Sequence, residues 1–158
     1  MHDVYRHVAH ELSDASLADR GQLRLKVTSH SMSPLLRPGD HVLVEAVSPE
    51  LLQQGDLLLT QRADGYHTHR LVSMNELGWY TKGDRNREVD APICAQDITG
   101  VVVAVERGGH IRNIRTRPRI LVSRFQGWLG WKEANSNSRP GAWLARLILR
   151  TISVFILI

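Results

Sequence analysis

From Leu23 to Val105 the chain is a succession of short aliphatic and β-branched runs, each stopped by Gly-Asp, Asp-Gly or proline. The runs are Leu23–Val27, Val42–Val44, Leu57–Thr60, Tyr66–Val72, Gly78–Lys82 and Ile98–Val105. Short runs bounded by turn chemistry are strand signals, so this stretch is expected to form an all-β body. At 158 residues the chain is long enough for one domain with a real core plus a short appendage. Its single cysteine, Cys94, excludes an internal disulfide framework and a cysteine-rich zinc site, so the fold must rest on packing.

Three Gly-Asp pairs punctuate the runs: Gly39-Asp40, Gly55-Asp56 and Gly83-Asp84. The first two each precede a strand, where glycine supplies the positive φ of a tight turn, and are read as structural. The third lies in a polar turn with a second aspartate, Asp90, and belongs to the chemistry below.

The flanks read differently. Val4, Val8 and Leu12 stand four residues apart among charged residues, which predicts an amphipathic helix over 1–20. The β-rich body is expected over 21–117, and 118–158 reads as a basic, amphipathic helical segment. Within it Leu121, Phe125, Trp128 and Leu129 fall on one helical face. After a polar linker at 135–141, Trp143, Leu144, Leu147, Ile148 and Ile152 line a second apolar face, opposite Arg146, Arg150 and Ser153.

The formal charge of +4 invites a nucleic-acid reading, but the basic residues concentrate late, at Arg107, Arg112, Arg115, Arg117, Arg119 and Arg124. That placement ahead of an apolar C-terminus suits anionic headgroups better than phosphodiesters, so a membrane surface is the expected partner and nucleic acid is not. The stretch from Trp143 to the end has 16 residues with two arginines, too short and too charged to span a bilayer. A helix lying in the interface is expected instead, and the protein is expected to be membrane-associated. The competing role for these helices is to cover the β body or join two copies. Met1–Arg20 is peppered with charged residues and does not read as a secretory signal.

The chemistry starts at Ser29-His30-Ser31-Met32-Ser33-Pro34. A serine just before a proline-constrained turn is a candidate exposed nucleophile, but its hydroxyl needs a proton acceptor. His69 is the candidate base. It lies in Tyr66–Val72, where alternation puts His67 and His69 on one face and Thr68 and Arg70 on the other. Two histidines without carboxylates at ligand spacing are weak support for a metal, and neither metal nor cofactor is expected. Asp84 or Asp90 is then the carboxylate that accepts from Nδ1–H and fixes the tautomer. Lys82 is the competing base.

These pieces resemble, in order and spacing, the successive boxes of type I signal peptidases. They are Ser31-Met32-Ser33-Pro34, Pro38-Gly39-Asp40, Thr68-His69-Arg70-Leu71-Val72, Thr81-Lys82-Gly83-Asp84-Arg85-Asn86 with Asp90, and Ile98-Thr99-Gly100-Val101-Val102. The resemblance covers about residues 22–107 and is strongest to the archaeal and endoplasmic-reticulum branch, with histidine in place of the lysine base. It implies a coiled, mostly antiparallel β fold, Ser31 as nucleophile, His69 as base and functional roles for Asp84 and Asp90. It also implies an oxyanion site at the Ser31 N–H with help from the Ser29 hydroxyl, and small side chains flanking the scissile bond. His30 stands where the family usually has glycine.

The expected function is therefore a serine endopeptidase acting on signal or leader peptides. Arginines ahead of the C-terminal apolar segments favour the cytoplasmic face, which keeps a leader-maturing protease on that side as an alternative. A catalytically inactive peptide- or partner-binding module on the same scaffold is the other. A self-cleaving transcription regulator would need a DNA-binding helix-turn-helix, for which the region before Leu23 is too short.

Overall fold

The computed structural model describes residues 22–115 and 117–134. Seven strands follow in chain order: β1 (Gln22–Lys26), β2 (His41–Glu45), β3 (Leu57–Arg62), β4 (Gly65–Asn75), β5 (Gly78–Lys82), β6 (Ile98–Arg107) and β7 (His110–Asn113). Helix α1 (Arg117–Ala134) closes the described chain. The fold is mainly β: one antiparallel sheet in the order β1-β2-β6-β3-β4-β5, with β7 on β6. The expected helix over 1–20, the linker at 135–141 and the apolar segment from Trp143 lie outside the described residues.

Long β6 organises the sheet. One edge pairs with β2, while the other pairs with β3 near Ile98–Val101 and with β7 near Ala104–Arg107. Register shifts at Leu43/Val44, Leu59/Thr60 and Leu71/Ser73 bend the strands and add local twist. Both faces are covered. Leu57, Leu59 and Val102 pack into one cluster with Leu35, Leu36 and Val42, whereas their neighbours Leu58, Val101 and Val103 join a second cluster with Leu71 and Ile93. Adjacent strand residues project to opposite faces, so two-sided burial makes these strands read as nearly continuous apolar runs.

Every expected run coincides with a strand, but β7 was not among them. All four of its residues are exposed, so it carries no buried pattern. The available signal was Gly108-Gly109, with φ of 57° and 79°, a two-residue hairpin turn.

The Gly-Asp pairs do more than turn the chain. Gly39 and Gly55 have φ of 94° and 100°, as expected for turns. In addition, each of the three aspartates holds an arginine: Asp40 with Arg107, Asp56 with Arg115 and Asp84 with Arg70, at 2.6, 3.3 and 2.8 Å. Two of the six late arginines, Arg107 and Arg115, are thus ion-paired within the β body.

Helix α1 turns the aromatic part of its expected apolar face outward. Phe125 and Trp128 face outward, while Gln126 and Gly127 are buried against the sheet. A Cβ on Gly55 would lie 2.3 Å from the Ser123 carbonyl, and one on Gly127 would lie 3.0 Å from the Leu71 oxygen. Backbone contact through two glycines therefore sets the rotation of the helix, and hydropathy does not. Among the described residues no helix is long and apolar enough to cross a membrane.

Candidate active site

Ser31 sits in the connection between β1 and β2. The two limbs are joined at their base by Val27 N–H to the Asp40 carbonyl at 2.8 Å and Gly39 N–H to the Val27 carbonyl at 2.9 Å. Beyond that, Met32, Leu35 and Leu36 are buried to 2%, 1% and 1% exposure and anchor the turn in the core. Arg107 reaches across from β6, donating to the Asp40 carboxylate and, at 3.0 Å, to the Leu35 carbonyl. Burial pushes the Asp40 carboxyl upward, but hydrogen bonds from Arg107 and the Arg37 amide, with the charges of both arginines, hold it below the usual range. The Ser33–Pro34 peptide is cis. His30 is exposed and, like every described non-glycine residue, has no positive φ, so the glycine usual at this place is not required here.

The polar turn after β5 ties the serine loop from the other side. Arg85 N–H donates to the Ser31 carbonyl at 2.9 Å, and Asp84 N–H approaches Met32 Sδ at 3.4 Å. Asp84 itself turns away from the imidazole. It accepts from Arg70 Nε and Nη2 at 2.9 and 2.8 Å, and Arg70 Nη1 donates to the Gly55 carbonyl at 3.1 Å. Of the two aspartates offered by the sequence, Asp84 is thus engaged in a buried ion pair and not with His69.

Asp90 meets the histidine. His69 Nδ1 lies 2.6 Å from Asp90 Oδ2, the Thr81 hydroxyl donates to the same oxygen at 2.7 Å, and Arg62 Nη2 stands 3.4 Å away. The Asp90 N–H donates to the Thr81 carbonyl at 2.8 Å, fixing the carboxylate's own backbone. Burial pushes this carboxyl up, yet the hydrogen bonds from His69 and Thr81 and the charge of Arg62 keep it below the ordinary range. An ionised carboxylate can only accept, so the neutral imidazole carries its proton on Nδ1 and presents Nε2 as acceptor. Thr81 and Arg62 were not anticipated. Arg70 had a signal: an arginine inside a strand's apolar run requires a carboxylate partner.

Ser29, Ser31, His67 and His69 line one cavity of about 290 Å³. Its floor includes Met32, Leu36, Val42 and Leu59, and its rim includes Lys26, Asp64 and Thr68. The Ser31 hydroxyl pairs with the Ser29 hydroxyl at 3.1 Å, and Ser31 and His69 share the cavity without a hydrogen bond between them. His67, on the same strand face, packs edge-on to His69 with ring centroids 6.1 Å apart and pairs with Asp64 at 2.9 Å. Lys82 is buried, across the β4–β5 pair from Arg70, and does not line the cavity. Among the described residues no group of three or more His, Cys, Asp or Glu is placed to hold a metal ion.

The arrangement therefore offers a serine hydroxyl, a second hydroxyl beside it, and an imidazole fixed from behind by a carboxylate, all opening on one cavity. No protein-family model, curated protein or solved structure matches this chain.

Proposed function

We propose that this protein is a serine endopeptidase of the signal peptidase type, cleaving a signal or leader peptide with Ser31, His69 and Asp90. The observation that carries the reading is the 2.6 Å contact between His69 Nδ1 and Asp90, which leaves Nε2 as the acceptor on an imidazole that lines the same cavity as Ser31. Ser31 Oγ attacks the scissile carbonyl carbon while His69 Nε2 takes its proton. The resulting imidazolium is stabilised by Asp90 and returns the proton to the leaving amine, releasing one peptide and leaving an acyl ester on Ser31. Water, deprotonated by the same nitrogen, then attacks the ester carbonyl; the acyl–Oγ bond breaks and the imidazolium returns its proton to Ser31 Oγ. In this reading the Ser31 N–H and the Ser29 hydroxyl serve as the oxyanion donors; loss of one such donor lowers the rate by roughly 100-fold or more.

The Ser29–Ser31 hydroxyl pair also supports a second reading, an inactive peptide-binding module, because the nucleophile is not bonded to its base. In the peptidase reading, the Ser31–His69 contact forms only with substrate bound, as catalytic hydrogen bonds are commonly long before substrate arrives. Mass-spectrometric mapping of cuts in a mixed peptide and preprotein library, presented in detergent or liposomes, separates the two. Cuts lost in both Ser31→Ala and His69→Ala support the peptidase. Absence of Ser31-dependent cuts from correctly folded protein supports the binding module.

A further inference from the structure

We propose that the outer face of α1, built on Phe125, Trp128 and Lys132, docks on an anionic lipid surface. This is independent of the peptidase reading, since it concerns where the protein sits and not what it cleaves. Phe125 and Trp128 are 45% and 43% exposed although their own helix buries Gln126 to 1%. The close approach of Gly127 to Gly55 and Leu71 holds that rotation, so the two aromatic rings cannot turn inward without lifting the helix. They stack on each other with centroids 5.8 Å apart, and Lys132 Nζ lies 4.4 Å above the Trp128 ring. The neighbouring Arg124 is exposed as well. Aromatic rings beside long cationic side chains are the combination that settles at headgroup level, with the rings among the upper acyl chains and the charges among phosphates.

Charge selects the occupant. Helix α1 carries Arg117, Arg119, Arg124 and Lys132 against one acidic residue, Glu133, and Trp143–Ile158 adds two arginines with no acidic residue. A second copy meeting this face through a two-fold axis would bring Arg124 and Lys132 against the same cations. An anionic lipid surface complements them instead. Within the expected C-terminal lipid contact, this narrows the described part to the outer face of α1, since Arg107 and Arg115 are paired internally.

The test uses the full chain and sedimentation with vesicles of phosphatidylcholine alone or with one quarter phosphatidylserine. Binding to the anionic vesicles is expected, weakening in high salt. The double substitution Phe125→Ser with Trp128→Ser should reduce binding by roughly tenfold or more, with an unchanged unfolding midpoint because both side chains are exposed. Arg124→Gln with Lys132→Gln should reduce it about tenfold on anionic vesicles and leave neutral ones unaffected. Three results overturn the proposal: equal binding by the aromatic double variant, which would assign the contact to the segment from Trp143; equal wild-type affinity for neutral vesicles or none for either; and a wild-type dimer that the aromatic substitutions dissociate.

Discussion

Asp84 closes on Arg70 with both carboxylate oxygens while its own N–H touches Met32, the residue that follows Ser31. The ion pair is almost dry, with side chains 1% and 7% exposed. Asp84→Ala leaves the Arg70 charge buried without its partner, which is expected to destabilise the fold by about 3–5 kcal/mol. Urea denaturation measures this directly. Under the peptidase reading, activity should fall with the folded fraction and with loosening of the Arg85-to-Ser31 contact carried by the same turn.

Asp90→Asn gives the opposite profile. The amide keeps the shape and can still bond Thr81, but its NH2 group can donate to Nδ1, which favours the tautomer with the proton on Nε2. Under the peptidase reading, kcat should drop by roughly 10^3- to 10^4-fold while the unfolding midpoint changes far less than in Asp84→Ala. Steady-state cleavage of a peptide substrate, beside thermal unfolding, separates the two aspartates. Equal losses of stability in both variants would remove the distinction.

The difference between those aspartates was within partial reach of the sequence. Alternation along Tyr66–Val72 puts His69 and Arg70 on opposite faces of β4, so one carboxylate can serve each, but which one depends on how the turn from Gly83 to Asp90 folds. The six apolar runs were legible because turn residues bracket them and the strands are buried on both sides. Strand β7 escaped because all its residues are exposed, and only the two glycines before it marked a hairpin. For α1, helical spacing groups Phe125 and Trp128 on one face but leaves open whether that face covers the sheet. The rotation of the helix follows from backbone contact with Gly55, a residue more than 60 positions earlier, and no pattern within the helix encodes that.

Acid should weaken the anchorage of the serine loop through Asp40. Asp40 has its carboxyl held below the usual range in the folded protein, so its contribution is fully present above the unfolded value of about 3.9 and is lost as pH falls through the depressed folded value. Stability of wild type and Asp40→Asn should therefore differ most above about pH 4 and converge as pH approaches the folded value. Asp90 adds the same sign of dependence through His69, Thr81 and Arg62. Denaturation midpoints over that acid range measure the convergence; parallel curves would show that the Asp40–Arg107 pair contributes no acid sensitivity.

Two positive-φ glycines provide an internal control for the helix contact. At Gly39, φ is 94° and a Cβ would meet nothing within 4 Å, so Gly39→Ala carries only backbone strain, about 1 kcal/mol. At Gly55, φ is 100° and the Cβ would lie 2.3 Å from Ser123 backbone atoms and 2.4 Å from the Arg124 nitrogen. Neither neighbour is the end of a flexible side chain, so α1 must move away and uncover Gln126. Gly55→Ala should then destabilise by more than about 3 kcal/mol. It should also disturb the Tyr80–Trp131 ring contact, 5.9 Å between centroids, by which the far end of the helix rests on β5. Near-ultraviolet circular dichroism reports that contact, and a change in Gly55→Ala absent from Gly39→Ala would place the effect at the helix and not in the turn.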